Sequence, residues 1–184
     1  MPILIPKNID DDEILVHFIF DRNFKNKIAN EHKLISKDIF LPNQGGVSLQ
    51  RSLYCNEKTC KSFAKKVAIN RAYIGFVIFR KSTFEKVKKN YVLNDRSEFE
   101  AKLFSTPLDE NNLYLAPYIE VNVDSKGNPS HSDLIYKNPA VKGDESPNTA
   151  IRSFSRKLSK ECKLIIDDNP DLEEYLDTPF EQII

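Results

Sequence analysis

Several segments of the chain have the hydrophobic pattern of β-strands. The runs EILVHFIF, from Glu13 to Phe20, and AYIGFVIF, from Ala72 to Phe79, are almost continuously apolar and rich in β-branched and aromatic residues. Such runs are typical of strands with both faces covered. A brief strand is also predicted around Val47 to Leu49, and another for HSDLIY, from His131 to Tyr136.

Two helices are predicted in the middle of the chain. In KTCKSFAKKVAI, which begins at Lys58, the apolar residues recur at helical spacing and the lysines lie opposite them. Ser82 or Thr83 is suited to cap a second helix that runs through Glu85 to Lys89. The glutamate then lies in the first turn, where the helix dipole favours a negative charge.

A third helix is predicted in the C-terminal half. Ser146 is a natural N-cap, and Pro147 suits the first helical position because an N–H there would lack a helical partner. Four residues then form an apolar stripe, namely Ile151, Phe154, Leu158 and Cys162. A basic ridge lies beside the stripe and consists of Arg152, Arg156, Lys160 and Lys163.

Together these elements predict an α+β fold. The segment LYLAPYIEVNVD reads as a strand interrupted near Pro117, and the turn DSKGNPS would join it to HSDLIY as a hairpin. With 184 residues, one domain is expected over residues 1–166, with a mixed or mostly antiparallel sheet covered by the amphipathic third helix. Residues 167–184 are expected to be an acidic extension that packs on the domain or on a partner.

The formal net charge of zero conceals two oppositely charged regions. Residues 51–102 contain 13 basic and 5 acidic residues, a net charge of +8, whereas residues 167–184 contain seven acidic residues and no base. Such segregation can steer an anionic ligand, attract a basic partner or be neutralised within the fold.

A cytoplasmic location is expected. No apolar run approaches the roughly 18 residues that a membrane span needs, and the start MPILIPKNIDDDE lacks the pattern of a signal peptide. The three cysteines, Cys55, Cys60 and Cys162, suit reduced thiols better than a disulfide framework. The spacing of Cys55 and Cys60 is too wide for the usual paired zinc ligands, so neither a metal nor a cofactor is predicted.

His131 and Asp133 are the first candidate site. They alternate along a predicted strand, so their side chains share one face. This arrangement suits a histidine general base oriented by a carboxylate, or two ligands of one metal, with a third group from His17, His32, Glu120 or a cysteine. The alternative is that Asp133 begins a turn and His131 bonds a loop carbonyl.

The segment GGVSLQR is the second candidate. Its glycines would let the backbone approach a phosphate, which Ser48 and Arg51 could then hold. It matches neither a Walker loop nor a dinucleotide-binding fingerprint. The alternative is an ordinary glycine turn with a solvated Arg51.

The third candidate is a nucleic-acid surface made of basic residues. Lys61, Lys65 and Lys66 of the first helix would form it together with Arg152, Arg156 and Lys160 of the third, provided that the two groups converge. The alternative is that each group is the solvated face of an amphipathic helix.

The order of these segments resembles that of small bacterial proteins associated with gene clusters for anti-phage or other conflict systems. The likeness extends over residues 13–163, and VSLQR and PSHSDLI are the positions that the pattern would single out. The resemblance implies a component of a defence system and brings no known activity.

Three functions remain open at this stage. The leading hypothesis is a non-enzymatic accessory or adaptor that binds an anionic partner, either nucleic acid or a co-encoded acidic protein, through its basic surfaces. The rival is a nucleotide- or nucleic-acid-processing enzyme, in which Ser48 and Arg51 hold phosphate while His131 and Asp133 transfer a proton. The third is a homo-oligomer whose oppositely charged regions attract one another.

Overall fold

The computed structural model describes residues 2–21, 39–42, 46–94, 99–115, 121–123, 126–137, 140–141, 144–147 and 149–184. It is a single α+β domain. The strands among these residues are β1 (Ile3–Ile5), β2 (Ile14–Phe20), β3 (Gly46–Arg51), β4 (Tyr73–Arg80), β5 (Ala101–Ser105), β6 (Val121–Val123), β7 (His131–Tyr136), β8 (Ala140–Val141), β9 (Asp144–Pro147) and β10 (Lys163–Ile166). The helices are α1 (Glu57–Val67), α2 (Lys81–Asn94) and α3 (Thr149–Glu161).

Six of these strands form one antiparallel sheet, in the order β10-β4-β2-β3-β7-β5. The strands predicted from the apolar runs are confirmed as β2, β3, β4 and β7. The predicted hairpin is wrong, because β6 pairs with β1 whereas β7 lies between β3 and β5. Residues 116–120, which include Pro117 and Glu120, lie outside the described residues.

One face of the sheet packs against α2 and α3. Their apolar residues share a core with Leu15, Leu49, Val77 and other strand residues. The predicted apolar stripe of α3 is buried, with Ile151, Phe154 and Leu158 fully inaccessible and Cys162 9% exposed.

The opposite face of the sheet packs against α1 and the C-terminal residues. Cys60 and Ala64 of α1 share this second core with Phe76 and Ile78 of β4 and with Phe180. The rings of Phe76 and Phe180 meet edge to face, with centroids 5.2 Å apart. The protein is therefore layered, with the pair α2 and α3 on one side of the sheet and α1 on the other.

The helix starts differ in part from those predicted. Asn56 caps α1 by accepting a hydrogen bond from the Thr59 backbone N–H at 2.8 Å. Helix α2 begins at Lys81, directly after β4, so Ser82 lies inside it. Helix α3 begins at Thr149, and the predicted start is wrong because Ser146 and Pro147 belong to strand β9, which pairs with β8.

No helix among the described residues is both long enough and apolar enough to cross a lipid bilayer.

Candidate functional site

The acidic C-terminal segment, residues 167–184, lies across α1, and we call it the strap. Lys61 is fully buried beneath it. The Lys61 ammonium donates hydrogen bonds to the backbone carbonyls of Asn169, at 2.6 Å, and Glu174, at 2.8 Å. Its Nζ also lies 2.8 Å from Oδ2 of the equally buried Asp167. This contact is purely electrostatic, because Asp167 Oδ2 accepts no aligned hydrogen bond. Lys61 is therefore a structural clamp, and its prediction as a nucleic-acid ligand is wrong.

The strap also occupies other basic residues. Lys65 donates to the carbonyls of Asp171 and Leu172 and pairs with Glu173, which lowers the pKa of that carboxyl. Lys58 pairs with Glu174 at 3.5 Å, and Arg80 pairs with Glu181 at 3.7 Å. Lys65 is consequently engaged within the molecule. Lys66 is exposed, and its ammonium lies 5.8 Å from the centre of the Phe63 ring.

The basic residues of α2 and α3 lie in the other helical layer. We call the exposed ones the basic helical face, which consists of Lys86, Lys89, Arg156, Lys157 and Lys160. Lys163 of the predicted basic ridge is not part of it, because α3 ends at Glu161 and Lys163 begins strand β10. Arg152 is half-buried on the same helix as Arg156. The predicted convergence of α1 with α3 on one surface is wrong, because the sheet separates the two helices.

Arg51 is 1% exposed, and its guanidinium is fully engaged inside the protein. It forms a bidentate pair with Glu13, with Nε–Oε1 2.7 Å and Nη2–Oε2 2.8 Å. Its remaining N–H groups donate to the carbonyls of Pro6 and Asn8 and to Ser105 Oγ. A guanidinium has five N–H donors, and all five are used. The prediction that Arg51 holds a phosphate is therefore wrong.

His131 and Asp133 belong to a buried polar cluster with Thr106 and Tyr114. The Thr106 hydroxyl lies 3.0 Å from His131 Nδ1 and donates to Asp133 Oδ2 at 2.9 Å. The Tyr114 hydroxyl donates to the same oxygen at 3.1 Å. The side chains of His131 and Asp133 are 8% and 6% exposed, and the closest contact between them is 4.0 Å. Thr106 therefore bridges the pair that the sequence predicted to share a face.

The tautomer of His131 follows from its hydrogen bonds. Nδ1 lies 2.9 Å from the backbone carbonyl of Thr106, which can only accept, so Nδ1 carries the proton. Burial lowers the pKa of His131, and the nearby Asp133 carboxylate opposes this shift only in part. The imidazole is accordingly neutral near pH 7, and its Nε2 is a hydrogen-bond acceptor.

Ser48 lies directly opposite Asp133 in the pairing of β3 with β7, and Gln50 lies opposite His131. Paired residues share a face, so these four side chains occupy one face of the sheet, whereas Arg51 points to the other. Arg51 therefore cannot hold a phosphate beside His131 and Asp133, as the rival enzyme hypothesis requires. The remaining group also repels phosphate, because Asp133 contributes a carboxylate and no cation of the described residues contacts it.

Three participants were not predicted from the sequence, namely Glu13, Thr106 and Tyr114. Each lies 19 or more residues from its partner, and no local pattern connects them. His17, named as a third group for the first candidate site, donates from Nδ1 to the Ser48 carbonyl at 2.9 Å, and Cys60 is a buried free thiol. His32 lies outside the described residues. No group of three metal-binding side chains occurs in the described part of the chain.

Comparison with known proteins finds no matching protein family, no similar curated protein and no similar solved structure.

Proposed function

We propose that the protein is a non-enzymatic accessory component that binds a polyanionic partner, nucleic acid in the first place, through the basic helical face. The observation that carries the proposal is the division of charge between the two layers. Three carboxylates of the strap pair with lysines of α1, whereas the cations of α2 and α3 lie beyond the sheet from the strap.

The charge of the α2–α3 layer supports this proposal. The two helices contain eight basic and two acidic residues, and one of the acids, Glu85, pairs with Lys88 within α2. Among the described residues, no ion pair involves Lys86, Lys89, Arg156 or Lys160. Arg152, Arg156 and Lys160 are spaced by four residues, so they recur about every 6 Å along α3. A regular row of cations suits a regularly charged polymer.

The resemblance of residues 13–163 to proteins of anti-phage gene clusters is our reason to propose a bacterial defence system as the setting. In such a setting, a co-encoded acidic protein is the other anionic partner that this face could bind.

The test is a salt titration of binding to fluorescently labelled single- and double-stranded DNA and RNA, followed by anisotropy. The variant Lys89→Gln/Arg156→Gln/Lys160→Gln removes three exposed cations from the basic helical face. If each contacts a phosphate, the slope of log K against log salt becomes less steep by roughly 3 for double-stranded DNA.

The matched control is Lys7→Gln/Lys58→Gln/Lys66→Gln, which removes the same charge from exposed lysines outside α2 and α3. It should leave the slope nearly unchanged. Equal losses in both variants would show that only net charge matters, and absence of binding at low salt would reject nucleic acid as the partner. If a co-encoded acidic protein binds and its binding depends on the same three cations, the basic helical face is the binding surface and that protein is the partner.

A further inference from the structure

The face of the sheet that packs against α1 divides into two halves of different character. On β4 and β2 its residues are apolar, such as Phe76 and Val16, and they belong to the core under α1 and the strap. On β3 and β7 the same face carries Ser48, Gln50, His131 and Asp133. Gln50, His131 and Asp133 are buried there and each makes hydrogen bonds, as buried polar groups require.

On β7, two atoms of this half-face have no partner among the described residues. Asp133 accepts two hydrogen bonds at Oδ2, but none is seen at Oδ1. His131 is held through Nδ1, and none is seen at Nε2. Both side chains are more than nine-tenths buried, where an acceptor without a donor is unfavourable and a ligand that supplies the donor is favoured.

Both of these atoms are hydrogen-bond acceptors. Asp133 Oδ1 belongs to a carboxylate, and Nε2 is the unprotonated nitrogen of the Nδ1–H tautomer. The Gly46 backbone and the Ile135 side chain border Oδ1, because a Cβ at Gly46 would lie 3.7 Å from Oδ1 and 2.8 Å from Ile135 Cδ1. A complementary ligand must donate hydrogen bonds and is favoured by positive charge.

An aromatic ring adjoins the two acceptors. Tyr114 is 58% exposed, and its ring centroid lies 6.0 Å from that of His131. Its hydroxyl is fixed to Asp133, which holds the ring beside the carboxylate. A planar cation can stack on such a ring while it donates to the acceptors beside it.

We propose that His131, Asp133 and Tyr114 form a binding site for a guanidinium group. The planar fork of N–H donors pairs with Asp133 Oδ1 and His131 Nε2, and its face contacts the Tyr114 ring. Ser48, which is exposed and lies opposite Asp133, borders the site. This site is on the opposite side of the sheet from the basic helical face and is selective for the opposite charge.

The test is a titration of the ¹⁵N-labelled full chain with methylguanidinium at low ionic strength, followed by amide chemical shifts. Shifts should concentrate at residues 106, 114, 131 and 133. Tetramethylammonium has the same charge without N–H donors, and it should bind much more weakly. Equal shifts with both cations, or no saturable shifts with methylguanidinium, would overturn the proposal.

Two variants and one control localise the site. Asp133→Asn keeps the shape and removes the charge, and it should weaken binding roughly tenfold or more, because charge-assisted hydrogen bonds are the stronger class. Tyr114→Leu changes an exposed residue and should weaken binding by about two- to fivefold. Glu110→Gln, an exposed carboxylate in the segment that carries Tyr114, should change nothing. Equal weakening by Glu110→Gln would indicate unspecific ion pairing and reject the site.

Two sources of guanidinium are possible, and a peptide separates them. An acetylated Gly-Arg-Gly amide that binds at least as tightly as methylguanidinium would indicate an arginine side chain of a partner protein. Binding of methylguanidinium without the peptide would indicate a free small molecule. If Asp133→Asn fails to give a cooperative thermal transition, Tyr114→Leu and the tetramethylammonium comparison still decide. DNA binding through α3 is measured separately, so failure of either proposal leaves the other intact.

Discussion

Replacement of Lys61 by methionine should destabilise the protein strongly, because this lysine joins α1 to the strap inside the molecule. Neither Lys61 nor Asp167 has accessible side-chain surface. Methionine preserves most of the apolar stem and removes the ammonium. Asp167 is then left as a buried charge without its counter-ion, and the carbonyls of Asn169 and Glu174 lose their donor.

The size of the effect follows from burial. Loss of one partner of a buried ion pair costs about 3–5 kcal/mol, a large share of the roughly 5–15 kcal/mol by which domains are stable. For a chain of this length, that loss corresponds to a fall in Tm of about 6–20 °C. Urea unfolding followed by circular dichroism measures the free energy directly.

Two further variants test the cause. Lys61→Met/Asp167→Leu removes both charges and should be more stable than Lys61→Met alone, although the two carbonyls still lack a donor. Lys58→Met breaks the exposed pair with Glu174 on the same helix and should cost less than about 1 kcal/mol. The reasoning fails if Lys61→Met costs no more than Lys58→Met, or if the double variant is less stable than the single one.

Three other predictions concern the sheet, the first core and pH. Gly75→Ala should destabilise by at least about 2 kcal/mol in urea unfolding, since a Cβ there would lie 2.0 Å from the Ile165 carbonyl oxygen and would separate β10 from β4. Leu158→Ala should cost about 2–5 kcal/mol in the same assay, because the side chain is fully buried. Burial lowers the pKa of His131, so its contribution to stability is complete above the ordinary value of 6.5 and decreases as the pH falls towards the lowered pKa. Thermal unfolding across this range should therefore depend less on pH in His131→Asn than in the wild type.

The main strands and helices could be predicted from the sequence because their signals are local. The apolar runs of β2 and β4 predict strands covered on both faces, and cores do cover both faces of the sheet. The partner of a strand is not a local property, which is why the hairpin of β6 with β7 was wrong. Strand β6 pairs with β1, which lies more than a hundred residues earlier in the chain.

The candidate site could be predicted only where one strand carries it. His131 and Asp133 alternate along β7, so period-two spacing placed them on one face. Arg51 has the same kind of local signal beside a glycine turn, but its function is decided by Glu13, 38 residues away. A short pattern shows which groups can bind and does not show whether the fold already occupies them.

Contacts between distant parts of the chain also decide which charges are paired, and the pairing determines which surface can bind. Basic residues of α1 and acidic residues of the strap are more than a hundred residues apart, and packing of Phe180 in the core under α1 brings them together. The carboxylates of the strap therefore pair with α1, and among the described residues no ion pair joins the strap to α2 or α3. Helix α1 has a net charge of +3 and the strap one of −7, so together they carry −4, whereas α2 and α3 together carry +6. For this reason the proposed binding surface follows from the position of the strap, since a strap on the α2–α3 side would leave α1 as the basic surface.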